Sequence, residues 1–171
     1  MYLAVFALSI LLLGDFVLMS VGLDSCSLSV DGISSERGCR PGWRMWGNSC
    51  YVLESGRHDW VRARDACKEL GGTLAAPRSR EENDFVAGLV AEAEENRVWI
   101  NCNDRQREAV WVCNDGEAVT GFRSWSPREP NNWGGQQHCA YISPRGMWDD
   151  TECYLRYPAI CKTRPAPKLH M

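Results

Sequence analysis

The chain has 171 residues, with 19 basic against 22 acidic side chains and a formal charge of −3, which leaves room for one domain and a leader but not for two full domains. A hydrophobic content of 44% and an aromatic content of 10% suffice for a packed core and argue against global disorder. The near balance of charge contains no basic block, so neither nucleic acid nor an anionic membrane is the expected partner. Nine cysteines and eight tryptophans stand out, and that much cysteine in a small chain points to an oxidising compartment.

Residues 1–22, MYLAVFALSILLLGDFVLMSVG, form an apolar run in which Asp15 is the one charge. A charge at mid-helix costs about 2.5–3.5 kcal/mol on insertion scales, which argues against a membrane span. Ser20 and Gly22 suit cleavage after Gly22, so a cleaved signal peptide is the preferred reading; a positive n-region is missing, and an uncleaved anchor is the alternative. No later stretch is long and apolar enough to span a bilayer, and secretion is the expectation. Residues 23–38 are short, Ser-rich and aperiodic, as a linker is. The folded unit is expected over 39–162, with a disordered tail over 163–171.

Within the unit, Cys39 and Cys50 bracket RPGWRMWGNS, whose Pro41-Gly42 and Gly47-Asn48 pairs are turn-prone, so a stapled hairpin is expected. Asp59 to Leu70 predicts a helix with Trp60, Ala63, Cys67 and Leu70 near one face, stopped by Gly71-Gly72. Ser79-Arg80-Glu81-Glu82 has capping-box spacing, and Phe85, Val86, Leu89 and Val90 follow at helical period. Both stripes are read as core. Val98-Trp99-Ile100 and Val110-Trp111-Val112 are short β-prone runs, and a hairpin there would bring Cys102 and Cys113 within bridging distance. From Asn114 to His138 the chain is rich in Asp, Gly, Pro and Asn, a loop long enough to be either functional or disordered. Stretches 141–148 and 158–161 supply the last strand candidates. The fold class is therefore α+β: two helices, short antiparallel strands, a long irregular loop and a disulfide framework.

Oxygen ligands gather in and after that loop: Glu129, Asn131, Asn132 and Gln137, then Asp149-Asp150. Carboxylates mixed with amide carbonyls are what Ca²⁺ takes, with about 6–8 oxygens at about 2.3–2.6 Å. On composition alone a solvated acidic loop is the better explanation of them. The segment EPNNWGGQQHC (Glu129 to Cys139) followed by WDD (Trp148 to Asp150) resembles the C-type lectin domain. The resemblance extends through CRPGWRMWGNSCY (Cys39 to Tyr51), the helix with Cys67, Trp99-Ile100 and the terminal Cys161.

The resemblance implies three bridges, Cys39–Cys50, Cys67–Cys161 and Cys139–Cys153; Cys102–Cys113 is expected as a fourth beyond the common pattern. Cys26 is left over, either a free thiol or an interchain bridge that makes a homodimer. In this family a Glu-Pro-Asn motif, a later Glu and a Trp-Asn-Asp motif hold one Ca²⁺, and two vicinal sugar hydroxyls complete it. The corresponding residues here are Glu129, Asn131, Gln137, Asp149 and Asp150. Gln137 stands where Glu is usual and Asp149 where Asn is usual, so the number of carboxylates is kept and the donor and acceptor roles are exchanged within the pair.

The Glu-Pro-Asn form implies mannose-type sugars, bound by Glu129, Asn131, Gln137 and Asp149. Trp133, an aromatic able to stack on a sugar face, occupies a place the family associates with galactose; an exposed or loop-packing aromatic is the plainer role. A second Ca²⁺ site is outlined by Asp104, Glu108 and Asn132, with His138 replacing an acidic ligand. The family-level expectation is recognition of microbial or cell-surface glycans, with a pattern-recognition or agglutinating role in innate immunity. The main rival is a Ca²⁺-independent protein-binding module on the same fold. His58, His138 and His170 form no HExxH motif and there is no nucleophile elbow, so an enzyme is not expected.

Overall fold

The computed structural model describes residues 37–116 and 121–167. The expected leader, the linker up to residue 36 with Cys26, and residues 168–171 lie outside the described residues. The elements in chain order are β1 (Arg37–Gly38), β2 (Arg44–Trp46), β3 (Ser49–His58), α1 (Trp60–Glu69), β4 (Thr73–Leu74), α2 (Arg80–Glu92), β5 (Val98–Asn103), β6 (Val112–Cys113), a 3₁₀ turn (Trp133–Gly135), β7 (Gln137–Ile142), β8 (Trp148–Glu152), β9 (Tyr157–Thr163) and β10 (Ala166–Pro167). The main sheet runs β2-β3-β9-β5-β7-β8, with β4 against β9 and β6 against β5. Its pairs are antiparallel except β5 with β9. Among the described residues no helix is long and apolar enough to cross a membrane.

Each helix starts where its cap residue stands. The Asp59 carboxylate accepts the Arg62 N–H at 3.0 Å and opens α1, whose Trp60, Ala63 and Cys67 are buried. Leu70, expected on that face, is the C-cap and stays exposed. Gly72 follows because β4 runs tight against β9: a Cβ there would lie 2.5 Å from the Lys162 carbonyl oxygen. Ser79 caps α2 through its Oγ, which accepts the Glu82 N–H at 3.2 Å. The reciprocal half of the capping box is not made. Glu82 is buried, and its carboxylate accepts instead from the Arg78 N–H, the Tyr51 hydroxyl and Lys162.

Two apolar clusters hold the helices to the sheet. Val86, Leu89 and Val90 of α2 pack with Tyr51, Ile100, Ile142, Trp148 and Ile160. Trp60, Ala63 and Cys67 of α1 pack with Leu74, Trp99, Tyr141 and Ala159. Full burial of one such aliphatic side chain is worth about 1.5–3 kcal/mol. All four expected bridges are present: Cys39–Cys50, Cys67–Cys161, Cys102–Cys113 and Cys139–Cys153.

Three boundaries differ from the sequence reading. The linker and tail meet: Arg37 and Gly38 pair with Pro167 and Ala166, so ladder hydrogen bonding, which composition does not report, extends the unit past 39 and 162. Of Val110-Trp111-Val112, only Val112 is in a strand, because the Cys102–Cys113 register leaves two paired positions. The 141–148 stretch is a hairpin rather than one strand. Ser143-Pro144-Arg145-Gly146 makes its turn, with Gly146 at φ 76° and the Ser143 N–H donating to the Met147 carbonyl at 2.9 Å.

Candidate functional site

Trp148 fixes the strand that carries the site. It is fully buried at the start of β8, its Nε1 donates to Asn83 Oδ1 at 2.7 Å, and Phe122 and Trp125 stand edge-on to it. With that anchor in the core, the next two residues along β8 are Asp149 and Asp150. Opposite Asp149, in register on β7, is Tyr141, whose hydroxyl donates to Asp149 Oδ2 at 2.6 Å. Asp150 is nearly buried, and its two oxygens accept the N–H groups of Asn131 (3.1 Å) and Asn132 (2.7 Å). One carboxylate thus clamps the irregular loop to the sheet.

The loop enters through a cis Glu129-Pro130 peptide. The Asn131 side-chain amide donates to Glu129 Oε1 at 2.7 Å. The Trp133 N–H is shared by Asn131 Oδ1 (2.8 Å) and Gln137 Oε1 (2.7 Å), so two carbonyl oxygens converge on one positive pole. Asn132, left-handed at φ 43°, accepts the Gln137 N–H on its side chain at 2.9 Å. Gly134 and Gly135, at φ 74° and 73°, close the turn in a backbone region that suits glycine. Trp133 is 77% exposed at the rim and does not pack inward.

The result is a cleft of about 350 Å³ lined by Glu129, Asn131, Trp133, Gln137, Asp149 and Asp150, with Arg97 and Tyr141 beside them. Its electrostatics are unbalanced. Loss of water, the contact with Asp150 and the charges of Asp150 and Asp149 push Glu129 up to about 7, against the pull of the Asn131 amide. Burial and then the Asp149 contact push the Tyr141 hydroxyl up. Asp149 Oδ1 is buried and has no hydrogen-bond partner among the described residues. Three converging carboxylates, one of them with an orphaned buried oxygen, and two carbonyls form an all-oxygen donor set that fits a hard divalent cation.

A second cluster lies where β5 ends and β7 begins. His138 Nδ1 is 3.0 Å from Asp104 Oδ1 and 3.5 Å from Glu108 Oε2. Asp104 Oδ2 accepts the Ala109 N–H at 2.8 Å. Asn132, expected to join this group, spends its side-chain oxygen on Gln137.

Residues 56–163 match the family model described as the lectin C-type domain. The chain belongs to the C-type lectin domain family. Among curated relatives, the galactose-specific lectin nattectin of Thalassophryne nattereri is 29% identical over 143 residues, covering 80% of this chain and 89% of nattectin. The chain spans less than half the length of some other curated relatives it matches, 43% of the mouse low affinity immunoglobulin epsilon Fc receptor and 8% of the human C-type mannose receptor 2. Among solved structures, the C-type carbohydrate-recognition domain of cow CD23, determined in the presence of GlcNAc2Man3 oligosaccharide, has a TM-score of 0.67 at 27% identity, with 76% of this chain and 98% of that one covered. A calcium-independent type II antifreeze protein is as similar in fold, with a TM-score of 0.68 at 27% identity and coverage of 76% and 97%.

Against this C-type lectin background, two cleft residues were not anticipated from the sequence, Arg97 and Tyr141. Tyr141 had a usable signal, since it sits in a strand directly before the Asp149-Asp150 pair. Arg97 had none, because its place depends on packing. Its guanidinium lies over the rings of Tyr141 (5.3 Å) and Tyr157 (5.8 Å) and donates to the Tyr157 hydroxyl at 3.1 Å.

Proposed function

We propose that this C-type lectin domain is a secreted, Ca²⁺-dependent glycan-binding protein that takes mannose-type sugars on microbial surfaces, as a recognition or agglutinating factor of innate immunity. The observation that carries the reading is the orphaned Asp149 Oδ1 beside the crowded Glu129–Asp150 contact, a concentration of negative charge that a divalent cation would relieve. Glu129, Asn131, Gln137, Asp149 and Asp150 would hold the ion. A bound Ca²⁺ supplies coordination positions for two vicinal hydroxyls. Around it, Glu129 and Asp149 accept hydroxyl protons while the Asn131 and Gln137 amides donate to hydroxyl oxygens. The Tyr141 hydroxyl, donating at 2.6 Å, orients the Asp149 carboxylate for that role.

The Glu-Pro-Asn sequence of the loop supports mannose-type selection, and exposed Trp133 supplies an apolar face beside the cleft. A single shallow site binds a monosaccharide at about 1 mM, so capture of a surface requires several sites at once. A Cys26-linked dimer is the simplest way to provide them. A second reading, a Ca²⁺-independent binding module, is favoured by the neutral Gln137 in the ligand set and by the similarity to a calcium-independent antifreeze protein. A glycan array with and without EDTA separates the two. Mannose-type binding abolished by chelation supports the lectin reading; binding indifferent to EDTA, or confined to proteins, supports the second.

A further inference from the structure

We propose that Asp104, Glu108 and His138 form a binding site for a transition-metal ion of the zinc class, distinct in ligand chemistry from the Ca²⁺ cradle beside it. One ligand atom from each residue lies within 4.8 Å of the others. The His138 nitrogen stands 3.0 Å and 3.5 Å from the two carboxylate oxygens. Two ligand atoms held about 2.0–2.1 Å from one Zn²⁺ are about 2.8–3.4 Å apart at octahedral or tetrahedral angles, so the two His138 separations lie close to those of a shared ion.

The donor set decides which ion. Imidazole nitrogen is a good ligand for Zn²⁺, Ni²⁺ and Cu²⁺, whereas Ca²⁺ wants about six to eight oxygens. Two carboxylates and one imidazole are too few and too soft for Ca²⁺. Three protein ligands with a fourth position left for water is the coordination pattern of an open zinc site.

The site is built as well as composed. Asp104 is only 1% exposed, and the Ala109 N–H takes its Oδ2, which turns Oδ1 toward His138. The Asp104 N–H donates to the His138 carbonyl at 3.2 Å, joining the two ligand backbones next to the β5–β7 ladder. Entry is open, since His138 is 34% and Glu108 55% exposed. The neighbouring Arg105 guanidinium is drawn over the Trp60 ring at 5.7 Å.

The same contacts would exist if His138 were merely an ion-pair partner of Asp104, so the test is metal uptake itself. Chelator-stripped full-length protein is titrated with Zn²⁺ by calorimetry and with Co²⁺ by visible absorption. The expected result is one Zn²⁺ per chain in the micromolar range or tighter, with Co²⁺ ligand-field bands. His138→Ala should abolish both, Glu108→Gln should weaken Zn²⁺ by on the order of tenfold, and His58→Ala should change nothing. His138→Asp should exchange zinc preference for calcium uptake. Should His138→Ala perturb the fold, judged by circular dichroism, Glu108→Gln on the exposed side carries the decision. No zinc uptake, or uptake unaltered by His138→Ala and Glu108→Gln, overturns the proposal. Glu129→Ala should leave zinc binding intact, so failure of the Ca²⁺ reading and failure of this one are distinguishable.

Discussion

Two groups of carboxylates in this domain are treated in opposite ways. Beneath α2, buried Glu82 and Asp115 share Lys162, whose ammonium lies 3.1 Å and 2.6 Å from them with all three side chains no more than 4% exposed. In the cleft, Glu129, Asp149 and Asp150 converge without an ion pair to lysine or arginine among the described residues, and Glu129 is pushed up to about 7. The first group is neutralised by the chain's own β9, and its role is architectural. The second has only Arg97, beyond ion-pair distance, as a cation in its lining, which is what supports the proposed cation site. Acidic content alone does not separate the two, because what matters is whether the fold delivers a counter-charge.

The largest expected effect comes from breaking the compensated group. Lys162→Met removes the closer of two cations from the buried carboxylates, leaving the Arg78 guanidinium at 3.7 Å and 4.0 Å, and urea denaturation should show a loss of about 3–5 kcal/mol. A loss under about 1 kcal/mol would mean that Lys162 is not the neutralising partner. In the uncompensated group, exchanging residues tests roles rather than stability. Gln137→Glu with Asp149→Asn restores the family's usual arrangement and keeps three carboxylates, so mannose-type binding should be retained or strengthened. Abolished binding in the double variant would show that the two positions do not exchange roles. The smallest effect is expected at the rim, where Trp133→Ala removes stacking worth about 0.5–1.5 kcal/mol, a two- to tenfold loss in sugar affinity on the array or by titration. An unchanged affinity would make Trp133 a bystander.

Much of this was legible in the sequence because the cues were local. Asp59 and Ser79 cap their helices as their types and spacing imply, and the glycine pairs sit at a helix stop and a turn. Glu129-Pro130-Asn131 and Trp148-Asp149-Asp150 announced the cleft through a resemblance that the structural neighbours bear out at the level of the fold. What stayed hidden was set by register and packing. Tyr141 reaches Asp149 because the two are paired across β7 and β8, and Arg97 reaches the cleft because two tyrosine rings hold it there. Glu82 looked like a capping-box partner and is the buried acceptor for Tyr51 and Lys162, since helix spacing does not reveal which face lies over a cation. Arg37–Gly38 and Ala166–Pro167 looked like linker and tail because a two-residue ladder leaves no compositional trace.

The central claim is that the chain leaves three cleft carboxylates for a divalent cation to complete. Calcium titration of chelator-stripped protein by calorimetry, beside the Glu129→Ala variant, tests it most directly. The account predicts one Ca²⁺ per chain in the native protein, no uptake in Glu129→Ala, and an unchanged thermal midpoint for that variant in EDTA. No calcium heat at millimolar concentrations, or uptake that survives Glu129→Ala at full stoichiometry, would contradict it.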